Sequence, residues 1–307
     1  MMKYIEIKGT DLNVSNVVMG CMRLTQLSLP EAEKLIRTAM EENINFFDHA
    51  DIYGGGKCEE IFADAIGMNP SIREKMVLQS KCGIRSGYFD FSKEHIIAST
   101  EGILKRLKTD YLDILLLHRP DALVEPEEVA EAFDALHASG KVRYFGVSNH
   151  TPMQTELLKK HVSQRLVVNQ LQLSVTHTPM IDSGIALNMN HNQSINRDSG
   201  ILDYCRLNDI TVQAWSPFQK GFFNGPFLGD TENYAELNKL IDGLADKYGV
   251  TNTAIAVAWI TRHPANIQVV LGTMNEGRLK DSCQGSDIPL TREEWYAIYK
   301  AGGKIVP

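Results

Sequence analysis

The chain has no basic run, no metal-binding spacing of cysteine or histidine, and no apolar stretch long enough to cross a membrane. Lys and Arg number 31 against 38 Asp and Glu, a net charge of −7. That balance argues against nucleic acid or an anionic membrane surface as a main partner. Five cysteines, at 21, 58, 82, 205 and 283, form no C-x-x-C. An odd, scattered set in a chain this long reads as reduced thiols in a cytosol. The nine histidines give neither H-E-x-x-H nor a three-ligand cluster, so no bound metal is expected. No G-x-G-x-x-G follows a strand. Gly54-Gly55-Gly56-Lys57-Cys58 lacks both the first Gly and the Ser/Thr of a phosphate loop. No segment approaches the ~18 apolar residues of a membrane span. The opening Met-Met-Lys-Tyr-Ile-Glu-Ile-Lys-Gly lacks the apolar core of a signal peptide, so a cytoplasmic location is expected.

What is present is alternation. Apolar runs near 17–19, 44–47, 76–80, 111–117, 144–147, 166–168, 210–214 and 267–271 alternate with helix-like spacings, among them 30–43, 57–67, 92–108, 126–139, 152–162 and 199–208. Ser92 and Thr151-Pro152 mark helix starts, and Gly140 and Gly249 mark helix ends. Eight strands, each followed by a helix, predict a (β/α)₈ barrel spanning 1–307 as a single domain. Alternation alone leaves a doubly wound sheet open. Tyr4-Ile5-Glu6-Ile7, a Lys-Gly-Thr-Asp turn and a second short strand predict a hairpin capping the barrel's N-terminal end. Two long connections, 177–198 and 216–231, are expected on the opposite, C-terminal face. The first, rich in Ser and Asn, is expected to be a mobile flap.

Four polar side chains follow these apolar runs: Asp48 with Tyr53 just beyond it, Lys81 and His118. Parallel strands would bring their C-terminal ends to one face, so the four would meet in one pocket. A free phenol has a pKa near 10; an adjacent Lys81 ammonium is expected to lower it, with Asp48 holding the ammonium. His118 can donate to a substrate oxygen or relay a proton. Singly, each residue has an ordinary explanation as a loop tyrosine or a strand end. Together they suit protonation of an alkoxide as a carbonyl is reduced.

The stretch Phe47-Asp48-His49-Ala50-Asp51-Ile52-Tyr53-Gly54, with Ser80-Lys81, Leu117-His118 and Gly140-Lys141-Val142-Arg143-Tyr144-Phe145-Gly146-Val147-Ser148-Asn149 in order, resembles the aldo-keto reductases. The resemblance runs from about Val17 to Ser282. It implies reversible carbonyl reduction with NADPH (NADP), a small-molecule carbonyl substrate, and a catalytic tetrad of Asp48, Tyr53, Lys81 and His118. By the same resemblance Ser148, Asn149 and Gln170 hold the nicotinamide carboxamide and Trp215 stacks on its ring. Gly20, Cys21 and Met22 approach the cofactor, and Ser216, Pro217, Phe218, Gly221 and Phe222 follow the pyrophosphate. Gly272, Thr273, Met274 and Arg278 meet the adenosine 2′-phosphate, and Asp281 and Ser282 the adenine. Relatives often carry Lys where Gly272 stands. The alternative implied is a cofactor-binding regulatory protein like the potassium-channel β-subunits, which keep the same site. Arg119 either attracts an anionic or polar substrate or pairs with Asp51 or Asp121, and the pairing is the preferred expectation.

Overall fold

The computed structural model describes residues 1–306. A hairpin of β1 (Tyr4–Glu6) and β2 (Asn13–Ser15) precedes β3 (Val17–Gly20). Then follow α1 (Leu29–Glu41), β4 (Phe46–Asp48), α2 (Lys57–Ile66), the short α3 (Pro70–Arg73) and β5 (Val77–Cys82). A small hairpin, β6 (Ile84–Arg85) and β7 (Tyr88–Phe89), leads to α4 (Lys93–Leu107), β8 (Leu112–Leu117), α5 (Pro126–Ala138), β9 (Val142–Ser148), α6 (Pro152–Lys159) and β10 (Leu166–Gln172). The chain ends with α7 (Pro179–Ile185), α8 (Ile201–Leu207), β11 (Thr211–Trp215), α9 (Ala235–Tyr248), α10 (Asn252–Thr261), β12 (Gln268–Leu271), α11 (Glu276–Gln284) and α12 (Arg292–Ala301).

β3, β4, β5, β8, β9, β10, β11 and β12 pair in parallel and close into a barrel, with β12 returning to β3. These strands are covered on both faces, which is why they read as near-continuous apolar runs. Capping follows the sequence signals. Ser92 Oγ accepts from His95 N, Thr151 and Gln154 form a capping box, and Gly249 ends α9 with φ +64°. No described helix is long and apolar enough to cross a membrane.

Two apolar clusters hold the molecule together. The larger lies between the barrel and its helices, and includes Phe47, Leu78, Leu115, Leu117 and Trp259. The second fills the barrel's N-terminal end: Ile5, Ile7, Leu12 and Val14 of the hairpin pack with Val18, Phe46, Ile114, Leu116, Val168 and Val270. The hairpin is therefore the floor of the barrel, as expected. Above it lies a belt of buried amides. Gln79 Nε2 donates to Gln213 Oε1 at 2.8 Å, Gln170 Nε2 to the same oxygen at 3.0 Å, and Gln213 Nε2 to Gln268 Oε1 at 2.9 Å.

The segment 177–198 differs from expectation. It contains α7, and no residue of it lines the cavity on the C-terminal face. Instead Asp182 accepts from Tyr299 Oη at 2.7 Å and pairs with Lys304 at 3.0 Å, while Gln193 bonds Tyr299 and both backbone groups of Ile305. Met180 and Ile181 are buried. The segment is a docking surface for α12 and the chain end rather than a flap over the pocket.

Candidate active site

Strand parity assembles the site. Along β5, Val77, Gln79 and Lys81 face the barrel interior, while Leu78 packs in the outer layer and Ser80 bonds Glu59 of α2. Phe46 and Asp48 share the inward face of β4, and Ile114, Leu116 and His118 follow the same alternation from β8. A one-residue slip in any of these strands would send its polar residue into the helix layer.

The result is a compact polar cluster at the barrel mouth. Lys81, fully buried, places Nζ 2.8 and 2.7 Å from the two Asp48 oxygens, 2.7 Å from His49 O and 3.3 Å from Tyr53 Oη. Asp48 Oδ1 also accepts from Gln79 at 2.6 Å and Gln170 at 3.1 Å. The amide belt thus fixes the carboxylate, which in turn fixes the ammonium. Tyr53 sits edge-on to His118, ring centroids 5.9 Å apart. All four expected residues come together.

Burial pulls the Lys81 ammonium down, but the Asp48 carboxylate and then Tyr53 outweigh it and leave its pKa raised. Tyr53 departs from expectation. It is half-buried at the cavity wall, and withdrawal from water raises the phenol above its ordinary value of 10; Lys81 pulls the other way, offset in part by Asp48. The ammonium reaches the phenol as half of an ion pair, so its field is weakened. His118 is held well below 6.5 by burial first, then by the charges of Lys81 and Arg119. It is a neutral imidazole at physiological pH, and its buried Nδ1 has no hydrogen-bond partner among the described residues.

Above the cluster opens a cavity of about 770 Å³. Its wall includes Gly20, Met22, Asp48, Tyr53, His118, Ser148, Asn149, Gln170, Trp215, Ser216, Pro217, Phe218, Phe222, Gly272, Thr273, Met274, Arg278 and Ser282, all anticipated from sequence. Cys21, Gly221 and Asp281 stand off it. The Cys21 thiol turns into the core toward Met19 O, Gly221 lies buried inside its loop, and Asp281 sits beside Ser282 on another face of α11. Trp215 Nε1 donates to Asn149 Oδ1 at 3.1 Å, and Asn149 Nδ2 to Ser148 Oγ at 2.8 Å. Gln170 spends its amide hydrogens on Asp48 and Gln213, and Ser148 Oγ donates to Gln170 O. The loop after β11 lines the cavity, fastened by Lys220–Asp230 at 2.7 Å.

Sequence reasoning missed several wall residues, including Arg23, Gln26, Ile84, Gln219 and Phe223. Arg23 Nη1 donates to Gly272 O at 3.3 Å. A cation from the loop after β3 therefore stands beside the position where relatives often carry Lys; its only sequence signal was its place next to Met22. Arg119 also differs from expectation. Among the described residues it pairs with neither Asp51 nor Asp121, and Asp121 accepts instead from the Phe91 and Leu123 N–H groups. The Arg119 guanidinium lines the cavity, 5.9 Å from the Trp215 ring centroid and 5.7 Å from that of Phe222.

The donor set fits a nicotinamide dinucleotide: hydroxyl and amide groups near the tetrad, arginines near β12, and the N-terminus of α11 capped by Asn275. Comparison with known proteins agrees in kind. The profile of the Aldo/keto reductase family matches residues 16–302. The chain is 36% identical to the oxidoreductase YcsN of Bacillus subtilis (strain 168) over 305 residues, covering 95% of each chain. It is 33% identical to the 6-dehydroglucose reductase of Agrobacterium fabrum (strain C58 / ATCC 33970), covering 94% of each. The fold superposes with a TM-score of 0.76 on a crystal structure of a thermostable aldo-keto reductase with the inhibitor epalrestat. That pair is 23% identical, covering 98% of this chain and 100% of the other.

Proposed function

This chain belongs to the aldo/keto reductase family, and we propose that it is an NADPH-dependent carbonyl reductase in which Tyr53 is the general acid. The observation that carries this reading is the Tyr53 hydroxyl, at the cavity wall and 3.3 Å from an ammonium that is itself ion-paired to Asp48. Bound in the cavity, a reduced nicotinamide supplies the hydride. Ser148, Asn149 and Gln170 would hold its carboxamide, Trp215 its ring face, and Arg278 and Thr273 the 2′-phosphate.

The remaining chemistry belongs to the chain. Neutral His118 donates a hydrogen bond to the substrate carbonyl oxygen and orients it toward Tyr53. Tyr53 gives up its proton as the oxygen becomes an alkoxide, and the ammonium of Lys81 stabilises the phenolate left behind. Asp48 and the amide belt keep that ammonium aimed. The five cysteines are free and buried, which supports a reducing, cytoplasmic setting. The barrel acts as one domain on a small-molecule substrate.

Tyr53→Phe is expected to lower kcat by about 10²–10⁴-fold while leaving the NADPH dissociation constant nearly unchanged. The raised phenol pKa keeps the acid protonated through neutrality. Reduction should accordingly be flat across neutral pH, its alkaline loss lying above the ordinary phenol value of 10. Steady-state kinetics with a panel of aldehydes measures both. A loss under tenfold on Tyr53→Phe removes the assignment. Binding of NADPH with no turnover of any aldehyde would favour the regulatory reading instead.

A further inference from the structure

The cavity is strongly cationic in a protein that is net acidic. Three guanidinium groups, Arg23, Arg119 and Arg278, line it. The one carboxylate on its described wall, Asp48, is already neutralised by Lys81. None of the three arginines has an ion-pair partner among the described residues. Arg23 and Arg278 have local contacts beside β12, to Gly272 O and Thr273 Oγ1. They stand with the donor set assigned to the dinucleotide.

Arg119 is different. It follows His118 directly, so its backbone is fixed at the barrel mouth beside the tetrad. It is half-buried, which withdraws part of the guanidinium from water, yet among the described residues none of its N–H groups finds an acceptor. Its neighbours are instead the rings of Trp215 and Phe222. Aromatic faces attract a guanidinium and fix its plane, but they satisfy none of its five in-plane donors. A planar fork, set beside two rings whose centroids are 6.2 Å apart and left without acceptors, matches a carboxylate bidentately.

Resting on the reductase reading above, we propose that Arg119 is a specificity-determining residue that binds an anionic group of the carbonyl substrate, so that the preferred substrate is an oxo acid. The acid group would lie in the Arg119 fork beside the Trp215–Phe222 ring pair while the carbonyl oxygen meets Tyr53 and His118. Trp215 and Phe222 then have a second purpose, excluding water around the ion pair and strengthening it.

The test is a matched pair, 4-carboxybenzaldehyde and its methyl ester, which share much of their shape but differ in charge. The ester withdraws electrons more and so activates its aldehyde, a bias that runs against the proposal. With NADPH, the wild-type protein should show a kcat/KM at least about tenfold higher for the acid, carried mainly by KM. Arg119→Met, which keeps much of the packing volume, should lower the acid-to-ester ratio about tenfold or more, to one or below. Arg119→Lys, which keeps charge but loses the fork, should retain part of it. The unreactive analogue 4-methylbenzoate, which keeps the carboxylate but has neither a carbonyl nor a hydroxyl to react, gives a readout free of turnover. Calorimetric titration into the NADP-loaded protein should show about tenfold or more weaker binding to Arg119→Met than to wild type, with wild-type affinity falling as salt rises.

Equal wild-type kcat/KM for acid and ester overturns the proposal, as does a ratio unchanged by Arg119→Met. A wild-type preference for neutral glyceraldehyde over the acid, lost in Arg119→Met, also overturns it and makes the fork a hydroxyl-binding group. If neither aldehyde is reduced, the reductase reading falls, and the titration alone still decides whether Arg119 binds an acid group.

Discussion

Arg278 is exposed at the start of α11, its Nε only 3.3 Å from Thr273 Oγ1. Such a contact orients the guanidinium without occupying it, leaving the Nη groups free for a phosphate. Lys280, two residues on, is absent from the cavity wall. Within α11 the discrimination of a 2′-phosphate therefore falls on Arg278. A charge-assisted hydrogen bond is worth roughly 1.5–3 kcal/mol, about tenfold or more in affinity. Arg278→Ala is expected to weaken NADPH binding by that factor and NADH binding little, read by fluorescence titration of both cofactors. Equal weakening would make Arg278 a structural residue of the helix start. Arg23 shows what single residues hide from a sequence reading. Its side chain reaches a carbonyl 249 positions away, and nothing local to Met22-Arg23 announces that contact.

Elements were far more legible than residues. The apolar runs of β4, β5 and β8 are legible in the letters and place Asp48, Lys81 and His118 at strand ends, whereas the parity that turns all three to one interior is a property of the strand geometry. The belt of Gln79, Gln170, Gln213 and Gln268 obeys the same parity. It was not anticipated as a network, because amides inside apolar runs do not declare their partners. The segment 177–198 failed as an expectation for a related reason. Its docking residues bond far along the chain: Asp182 is satisfied by Tyr299 and Lys304, 117 and 122 positions later, and Gln193 by Tyr299 and Ile305. Local composition sees the Ser and Asn but not the dock. Strands are also tied by charge. Asp113 of β8, 2% exposed, accepts from Arg73 Nη2 at 2.6 Å and the Leu78 N–H of β5 at 2.9 Å, and from Arg143 of β9 at 2.8 Å. One carboxylate thus clamps three adjacent strands. Asp113→Ala leaves Arg73, 4% exposed, without its carboxylate, and breaking a buried pair from one side costs about 3–5 kcal/mol. Urea unfolding should show a loss of that order; a loss below about 1 kcal/mol would mean the carbonyls of Met76 and Tyr111, which also accept from Arg73, suffice.

At the scale of the whole molecule the two ends of the barrel have separate tasks. The N-terminal end is closed by the hairpin over an apolar cluster, whereas the C-terminal end holds the tetrad, the cavity and its arginines. The amide belt lies between them and bonds the Asp48 carboxylate directly through Gln79 and Gln170. Two glycines set the tightness of this interior. A Cβ on Gly146 would stand 2.7 Å from Leu116 Cδ2 and from Val168 O, and one on Gly20 2.6 Å from Leu271 O. There is little room for the floor to collapse into a gap. Ile7, fully buried at the hairpin's turn, is the cleanest probe of this division. Truncating a buried isoleucine costs about 2–5 kcal/mol, most where surroundings cannot relax. Ile7→Ala is expected to lose stability in that range by urea unfolding, while the folded protein keeps its kcat/KM for aldehyde reduction within about twofold. The measurement must be made well below the unfolding midpoint, so that activity reports the native site. A folded Ile7→Ala protein with substantially reduced kcat/KM would show that the amide belt transmits the floor's packing to Asp48. A loss of stability below about 0.5 kcal/mol would show that the hairpin merely covers the barrel rather than sealing it.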